Sequence, residues 1–275
     1  LYHNGFDVSA ALQQSGSFAY IANSEPFEAE VLVVGGGGGG GHATGGEAAG
    51  GGAGGLFSGS VTIGTGETNI IVGTGGDGGN NSVGQEASGS IITGSMTSLV
   101  AQGGGGGGSS AGPSTADGVN GGSGGGGAFV SPNTGSFGQG LQPLSGSGHF
   151  GNNGGTGLQA GGAAGGGGAG SVGQDYDGIN IGGGGLGKTI NINGTPTLYA
   201  VGGDSNDAGG APTNPARGSG GFGSVRNPAN NNNFGRDGIV IIRYEGPEVR
   251  ARGGVLSKVG NDYVHTFTSD GILYN

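Results

Sequence analysis

Residues Gly182 to Thr189 read GGGGLGKT and match the phosphate-binding pattern G-x-x-x-x-G-K-[ST] letter for letter. In that chemistry backbone N–H groups cradle phosphates, the lysine reaches the terminal phosphates and the hydroxyl ligates magnesium. The loop needs a strand before it and a helix after it, whose N-terminus holds the anion. Ile179-Asn-Ile181 would serve as the strand, but Thr189 is followed by INING and soon by Pro196, which would break a helix running on from the motif. No aspartate closes an apolar strand as a second metal-binding motif requires; GIVIIRY (238–244) ends in Arg243 and Tyr244. In a chain with 80 glycines among 275 residues, coincidence explains the match. No nucleotide, and no cofactor of any kind, is expected.

Other groups are weighed the same way. Asp175-Tyr-Asp177 and Asp204-Ser-Asn-Asp207 offer oxygen ligands for calcium. They lack both the twelve-residue loop and the repeating G-G-x-G-x-D pattern, and Asp and Asn beside glycine are ordinary turn residues. His3, His42, His149 and His265 lie far apart, without metal spacing, and there is no cysteine. No serine stands on a strand-to-helix elbow. The sequence predicts a protein that is not an enzyme and holds no metal.

What must position any functional side chain is therefore the glycine itself. Val31 to Gly41 reads VLVVGGGGGGG, a strand that runs straight into seven glycines. Glycine loses more freedom on ordering than any other residue. Collagen uses as much glycine, but only at every third position; here the runs at 35–41, 103–108 and 165–168 are unbroken. Further runs, some interrupted, fall at 50–55, 73–79, 121–127, 161–170, 182–187 and 218–223. A polyproline-II-type helix has three residues per turn, and its N–H and C=O groups point outward. If every residue is glycine, such rods can approach until those groups pair between rods. The expected fold is mainly β or irregular: a polyglycine II bundle flanked by short strands, with no conventional hydrophobic core.

Strands are expected at 18–21, 28–34, 238–244 and 263–268, with shorter pieces at 60–63, 69–72, 90–93, 190–192 and 198–201. The only plausible helical turn is Ala10 to Gln14, too short to stand alone. Three segments follow: an N-terminal strand or docking segment (1–27), the glycine-rich domain (28–245) and a C-terminal strand segment (246–275).

Net charge is −10, which argues against nucleic acid and anionic membranes. No apolar run is long enough to span a bilayer, so no membrane insertion is expected. Residues 1–187 contain no Lys or Arg, whereas all 8 basic residues lie beyond them. Such a dipole could favour head-to-tail contact, although a solvated surface is the plainer account.

The opening VLVVGGGGGGG, the many glycine passes and the closing GIVIIRY together resemble the glycine-rich domain of bacteriophage tail-fibre and adhesin proteins. The resemblance covers about 28–245. It implies a polyglycine II sandwich whose inter-rod loops form a variable receptor-contacting surface on an extracellular, virion or cell-surface protein. The partner implied is a host surface glycan or protein. The varied segments 129–150, 171–181, 198–217 and 222–234 concentrate Tyr, Phe, Asn, Asp and Pro. Phe137, Phe150, Tyr176, Asp175, Asp177 and Phe222 are the candidate contacts; aromatics capping the array would look the same.

One departure from the family pattern matters. YVHTFTSDGILY (263–274) stands after the closing strand, where the family places such a strand before the opening one; a weak copy occurs at 15–20. The segment is either the start of a tandem unit or a strand that docks on a neighbouring subunit, with Tyr263, His265, Phe267, Leu273 and Tyr274 as docking candidates. Pairing within its own subunit is the plain alternative. Docking would make the chain a homo-oligomer or a filament subunit.

Overall fold

The computed structural model describes residues 2–3, 6–7, 25–142, 147–158, 162–178, 181–205, 216–224 and 233–275. The expected helical turn at 10–14, the strand at 18–21 and most of the 1–27 segment lie outside them. Within 1–27 only the backbone pair β1 (Tyr2–His3) and β2 (Phe6–Asp7), and the approach to β3, are described.

The glycine runs form rods, and their hydrogen bonds have a period of three. In the run 35–41, Gly35, Gly38 and Gly41 donate to Gly55, Gly52 and Ala49. Gly36 and Gly39 donate to Ser88 and Gln85, and Gly37 and Gly40 to Arg236 and Asn233. These bonds measure between 2.7 and 3.0 Å. The carbonyls repeat the pattern with three further rods. Gly36 and Gly39 accept from Gly104 and Gly107, Gly37 and Gly40 from Gly76 and Gly79, and Gly38 and Gly41 from Gly221 and Ser224. One rod thus sits among six, as three residues per turn require. The seven glycines are there because each side-chain position is filled by a neighbour's backbone: a methyl group on Gly38 would overlap the Gly105 carbonyl, and one on Gly39 the Asp77 carbonyl. Every donor and acceptor in this buried run must find a partner, and the lattice supplies one.

Strands continue the rods at one end. β3 (Phe27–Val34) leads into 35–41, and the rod 49–55 leads into β4 (Leu56–Ile63). β5 (Glu67–Ile71) leads into 73–79, and 82–88 into β6 (Ser90–Thr93). β7 (Ser98–Ala101) precedes 103–108, β8 (His149–Phe150) precedes 151–157, and 182–187 runs into β9 (Lys188–Ile190). β10 (Thr197–Tyr199) returns antiparallel to β9, and 233–238 enters β11 (Ile239–Glu245). β12 (Val255–Val259), β13 (Asp262–Phe267) and β14 (Gly271–Tyr274) complete the chain. Besides the two-stranded pairs β1-β2 and β9-β10, two larger antiparallel sheets result, ordered β12-β13-β11-β3-β4-β8 and β14-β5-β6-β7.

The expectation that no conventional core exists is corrected here. Phe27, Val31, Val33, Ile70, Ile92, Val240, Ile242, Tyr263, Phe267 and Leu273 form a buried apolar cluster drawn from both sheets. Leu32, Val34, Ile239, Ile241 and Val264 point the other way and pack with Ile192, Tyr199, Ala53 and Ala169. The central strands β3 and β11 are therefore buried on both faces, which is why VLVV and IVII run without alternation. Each fully buried Val, Leu or Ile contributes roughly 1.5–3 kcal/mol. Backbone pairing replaces side-chain packing only inside the array.

Candidate functional site: the loop end of the rod array

The rods' register gathers one set of connections at the end remote from the sheets. Gly41 donates to Ala49, Ala49 to Gly108, and Gly108 to Gly126. His42 bridges Ser82 and Ser224, Ala128 bridges Ala163, and Gly135 bridges Gly157. The connections 42–48, 80–81, 109–115, 128–134 and 176–178 thus share this end. They are rich in hydroxyls and amides, with Thr44, Asn80, Asn81, Ser114, Ser131, Asn133 and Thr134 exposed. Asn81 takes a left-handed φ of 54°, and its Oδ1 accepts from the Thr44 N–H. Pro113–Thr115 forms one 3-10 turn, held by Thr115 Oγ1 donating to the Ser109 and Gly112 carbonyls. The composition reading began its variable segments at residue 129 and missed the three loops before it. Their signal was turn chemistry between glycine runs, as in Thr44-Gly45 and Asn80-Asn81.

Along the outer rods, side-chain oxygens replace the missing neighbours. Asp117 accepts from Ser136 N–H, Asn120 from Gln139 N–H and Asn153 from Gly140 N–H. Asp175 accepts from Thr156 N–H, Asp204 from Gly184 N–H and Asp237 from Gly75 N–H. A lattice edge otherwise leaves a row of unpaired donors, much as a sheet edge does.

The six expected contact residues do not converge on one patch. Tyr176, Asp175 and Asp177 stand together where the rod 171–175 meets the loop end. Asp175 is one of the edge clasps, and the Tyr176 ring occupies the space a side chain at Gly162 would need. Phe137 is 40% exposed on a rod separated from that of Asp175 by the single rod 151–157. Phe222 is half-buried on a rod beside the central one, its carbonyl filling the side-chain position of Gly40. Phe150 lies at the opposite end, on β8, half-buried under Lys188 Nζ at 4.2 Å from its ring centre.

The matching family model is that of a glycine-rich domain, and it covers residues 13–245. The chain belongs to the glycine-rich domain family. No curated protein matches it significantly. In this glycine-rich domain the phosphate-loop motif is a rod: Gly185 donates to Gly166, Gly182 to Ala163, and Lys188 begins β9 rather than a helix. Gly182 and Gly185 thus direct their N–H groups to neighbouring rods, and Gly184 donates its own to Asp204 Oδ1. No helix among the described residues is long and apolar enough to cross a membrane.

The expected docking residues belong to the domain's own sheets. β13 pairs with β11 on one side and β12 on the other, so both its edges are filled. Tyr263, His265 and Phe267 are buried within the subunit. Leu273 is fully buried, and Tyr274 lies on β14, paired with Glu67 of β5 and bridged to Arg252. Of the placements open to this strand, β13 takes the one within its own subunit, where Tyr263 and Phe267 complete the first apolar cluster.

Two buried histidines are set by this packing. His42 Nδ1 accepts from the Asn81 N–H at 2.8 Å, its Nε2 has no hydrogen-bond partner among the described residues, and burial holds its pKa below the ordinary value. His265 is fully buried, and burial likewise lowers its pKa.

Proposed function

We propose that this glycine-rich domain is a non-enzymatic recognition module of the tail-fibre and adhesin kind. Its loop end contacts a glycan or protein on a host cell surface. The observation that carries the reading is the register of the rods, which presents at least five connections at one end of a support that cannot bend without breaking paired backbone groups. Binding residues are often carried on loops fixed by a rigid scaffold. Such a module works outside the cell, on a virion or a cell surface. The test is binding of the purified protein to candidate host cells. Combined substitution of Thr44, Asn80 and Asn133 by Ala should weaken binding at least about tenfold, with unchanged thermal unfolding. Full binding by that variant would remove the loop end from the interface.

A second reading, a subunit of an extracellular fibre joined by strand addition, draws on the outer edge of β12. That edge strand carries Val255 at 70% exposure. An edge strand of this kind offers unpaired backbone groups to another chain. Val255→Lys should then abolish filaments seen by electron microscopy; filaments that persist, or a wild-type protein that never assembles, would sink the reading.

A further inference from the structure

The chain contains four Asn–Gly pairs: Asn4–Gly5, Asn120–Gly121, Asn153–Gly154 and Asn193–Gly194. The first lies outside the described residues. The structure puts the other three in unlike settings. Asn120 and Asn153 are edge clasps, their carboxamides accepting from Gln139 and Gly140 N–H groups at 2.7 and 2.8 Å. The glycines that follow them are buried in rods, with Gly121 donating to Gln139 and Gly154 to Gly138. Asn193–Gly194 instead occupies the tight turn between β9 and β10. Gly194 is exposed and left-handed, with φ of 83°. Its N–H makes one long bond of 3.3 Å to the Asn191 carbonyl. The Asn193 Oδ1 accepts from the Thr195 N–H at 3.2 Å, closing an Asx turn across Gly194.

We infer that Asn193–Gly194 is a site of spontaneous deamidation in the folded protein, and that the rod array shields Asn120 and Asn153 from the same reaction. The deprotonated Gly194 nitrogen attacks Asn193 Cγ and forms a five-membered imide. The Cγ–Nδ2 bond breaks, and the nitrogen leaves as ammonia. Water then opens the ring at either carbonyl, leaving an aspartyl or an isoaspartyl residue; nothing is oxidised or reduced. At Asn120 and Asn153 the same attack must first break a short carboxamide clasp and lift a rod out of the lattice. At 193 the turn has only its own weak bonds to lose.

The modification would act on a defined neighbourhood. Arg243 Nη1 donates to the Asn191 and Ile192 carbonyls of the same turn, both at 3.4 Å. Arg243 Nε also donates to Asp262 Oδ2 at 2.7 Å. Val259 packs against Gly194. A new carboxylate at 193 adds a second acid beside this arginine. The isoaspartyl form also lengthens the turn backbone and shifts the two carbonyls.

The test is a time course of the intact protein at mildly alkaline pH, with peptide mapping by mass spectrometry. An acid-specific protease is needed, because residues 1–187 lack tryptic sites. In the native state Asn193 should deamidate about 30-fold faster than Asn120 or Asn153, the factor that two ordinary hydrogen bonds supply. In urea the three should react at rates within a few-fold of one another. Methyl transfer by an isoaspartyl methyltransferase should label the native time course at this turn and not at Asn120 or Asn153. Equal native rates at the three sites, or an inert Asn193 in a native protein whose unfolded chain reacts, would overturn the inference.

Discussion

The Tyr244 hydroxyl stands 3.2 Å from His265 Nε2, and the two rings stack with centroids 5.7 Å apart. His265 Nδ1 lies 2.7 Å from the Gly253 carbonyl, which can only accept, so Nδ1 carries the proton and Nε2 takes one from the tyrosine. The same hydroxyl accepts from the Arg250 and Ala251 N–H groups at 3.1 Å. One oxygen thus fastens the connection between β11 and β12 to the sandwich core. Tyr244→Phe should keep the ring packing on Phe27 yet strand a buried donor at Ala251, a part-buried one at Arg250 and one imidazole acceptor. The expected loss is about 2–4 kcal/mol of unfolding free energy, read by urea denaturation. A loss below about 0.5 kcal/mol would show that water reaches these groups instead.

This tautomer gives stability a pH dependence with a definite sign. Burial, partly offset by the Gly253 bond, lowers the His265 pKa from the ordinary 6.5. Burial lowers that of His42 in the same direction. Below pH 6.5 the unfolded chain therefore binds protons that the folded chain refuses. Stability should be level above that pH and fall as pH drops through 6.5 toward the folded-state values. Urea midpoints measured between about pH 8 and pH 5 should decline, and His265→Gln should flatten the decline. A wild-type midpoint that rises on acidification would contradict the neutral, buried assignment.

The rod lattice makes a sharper demand at its centre than at its rim. A methyl group at Gly38 would overlap the Gly105 backbone, which is itself bonded to Gly52 and Ser123 and cannot yield. Gly38→Ala should cost about 3 kcal/mol or more. Gly112 offers the contrast: its φ is −174°, and the nearest atom to an added methyl is Thr115 Oγ1 at 4.0 Å. Gly112→Ala should be neutral or stabilise by up to about 1 kcal/mol, because it only restricts the unfolded chain. Equal effects at the two sites, read by thermal unfolding, would refute dense packing around the central rod.

How far this fold could be read from residues depends on the kind of contact. The opening and closing strands were legible because VLVV and GIVIIRY are continuous apolar runs, and continuity means burial on both faces. The rods were legible because only glycine leaves room for six neighbours. Which rod lies beside which was not, because one glycine run is chemically like another; the order is fixed by the strands that extend the rods and by clasps such as Asp117 on Ser136. β12 went unread because VLSKV is an edge strand with little burial to pattern it. Phe150 lies away from the other candidate contacts because the segment 129–150 begins at the loop end and finishes on β8. Asp175 resembled a ligand because a carboxylate that satisfies a lattice edge and one that awaits a partner have the same composition.

Asp175 also gives the means to separate those two roles. Its Oδ1 accepts from the Thr156 N–H at 2.6 Å on an exposed rod. Asp175→Ala removes the acceptor and should cost about 1 kcal/mol, moderated because water can reach the freed N–H. Asp175→Asn keeps an acceptor oxygen and should restore most of that loss. If the residue is a clasp alone, binding to host cells should survive both changes, while Tyr176→Ala, which uncovers Gly162 beside it, should weaken binding. Loss of binding in Asp175→Asn without loss of stability would instead place the carboxylate's charge in the recognition surface. It would then join Tyr176 and Asp177 as one contact site at the corner where the rod 171–175 meets the loop end.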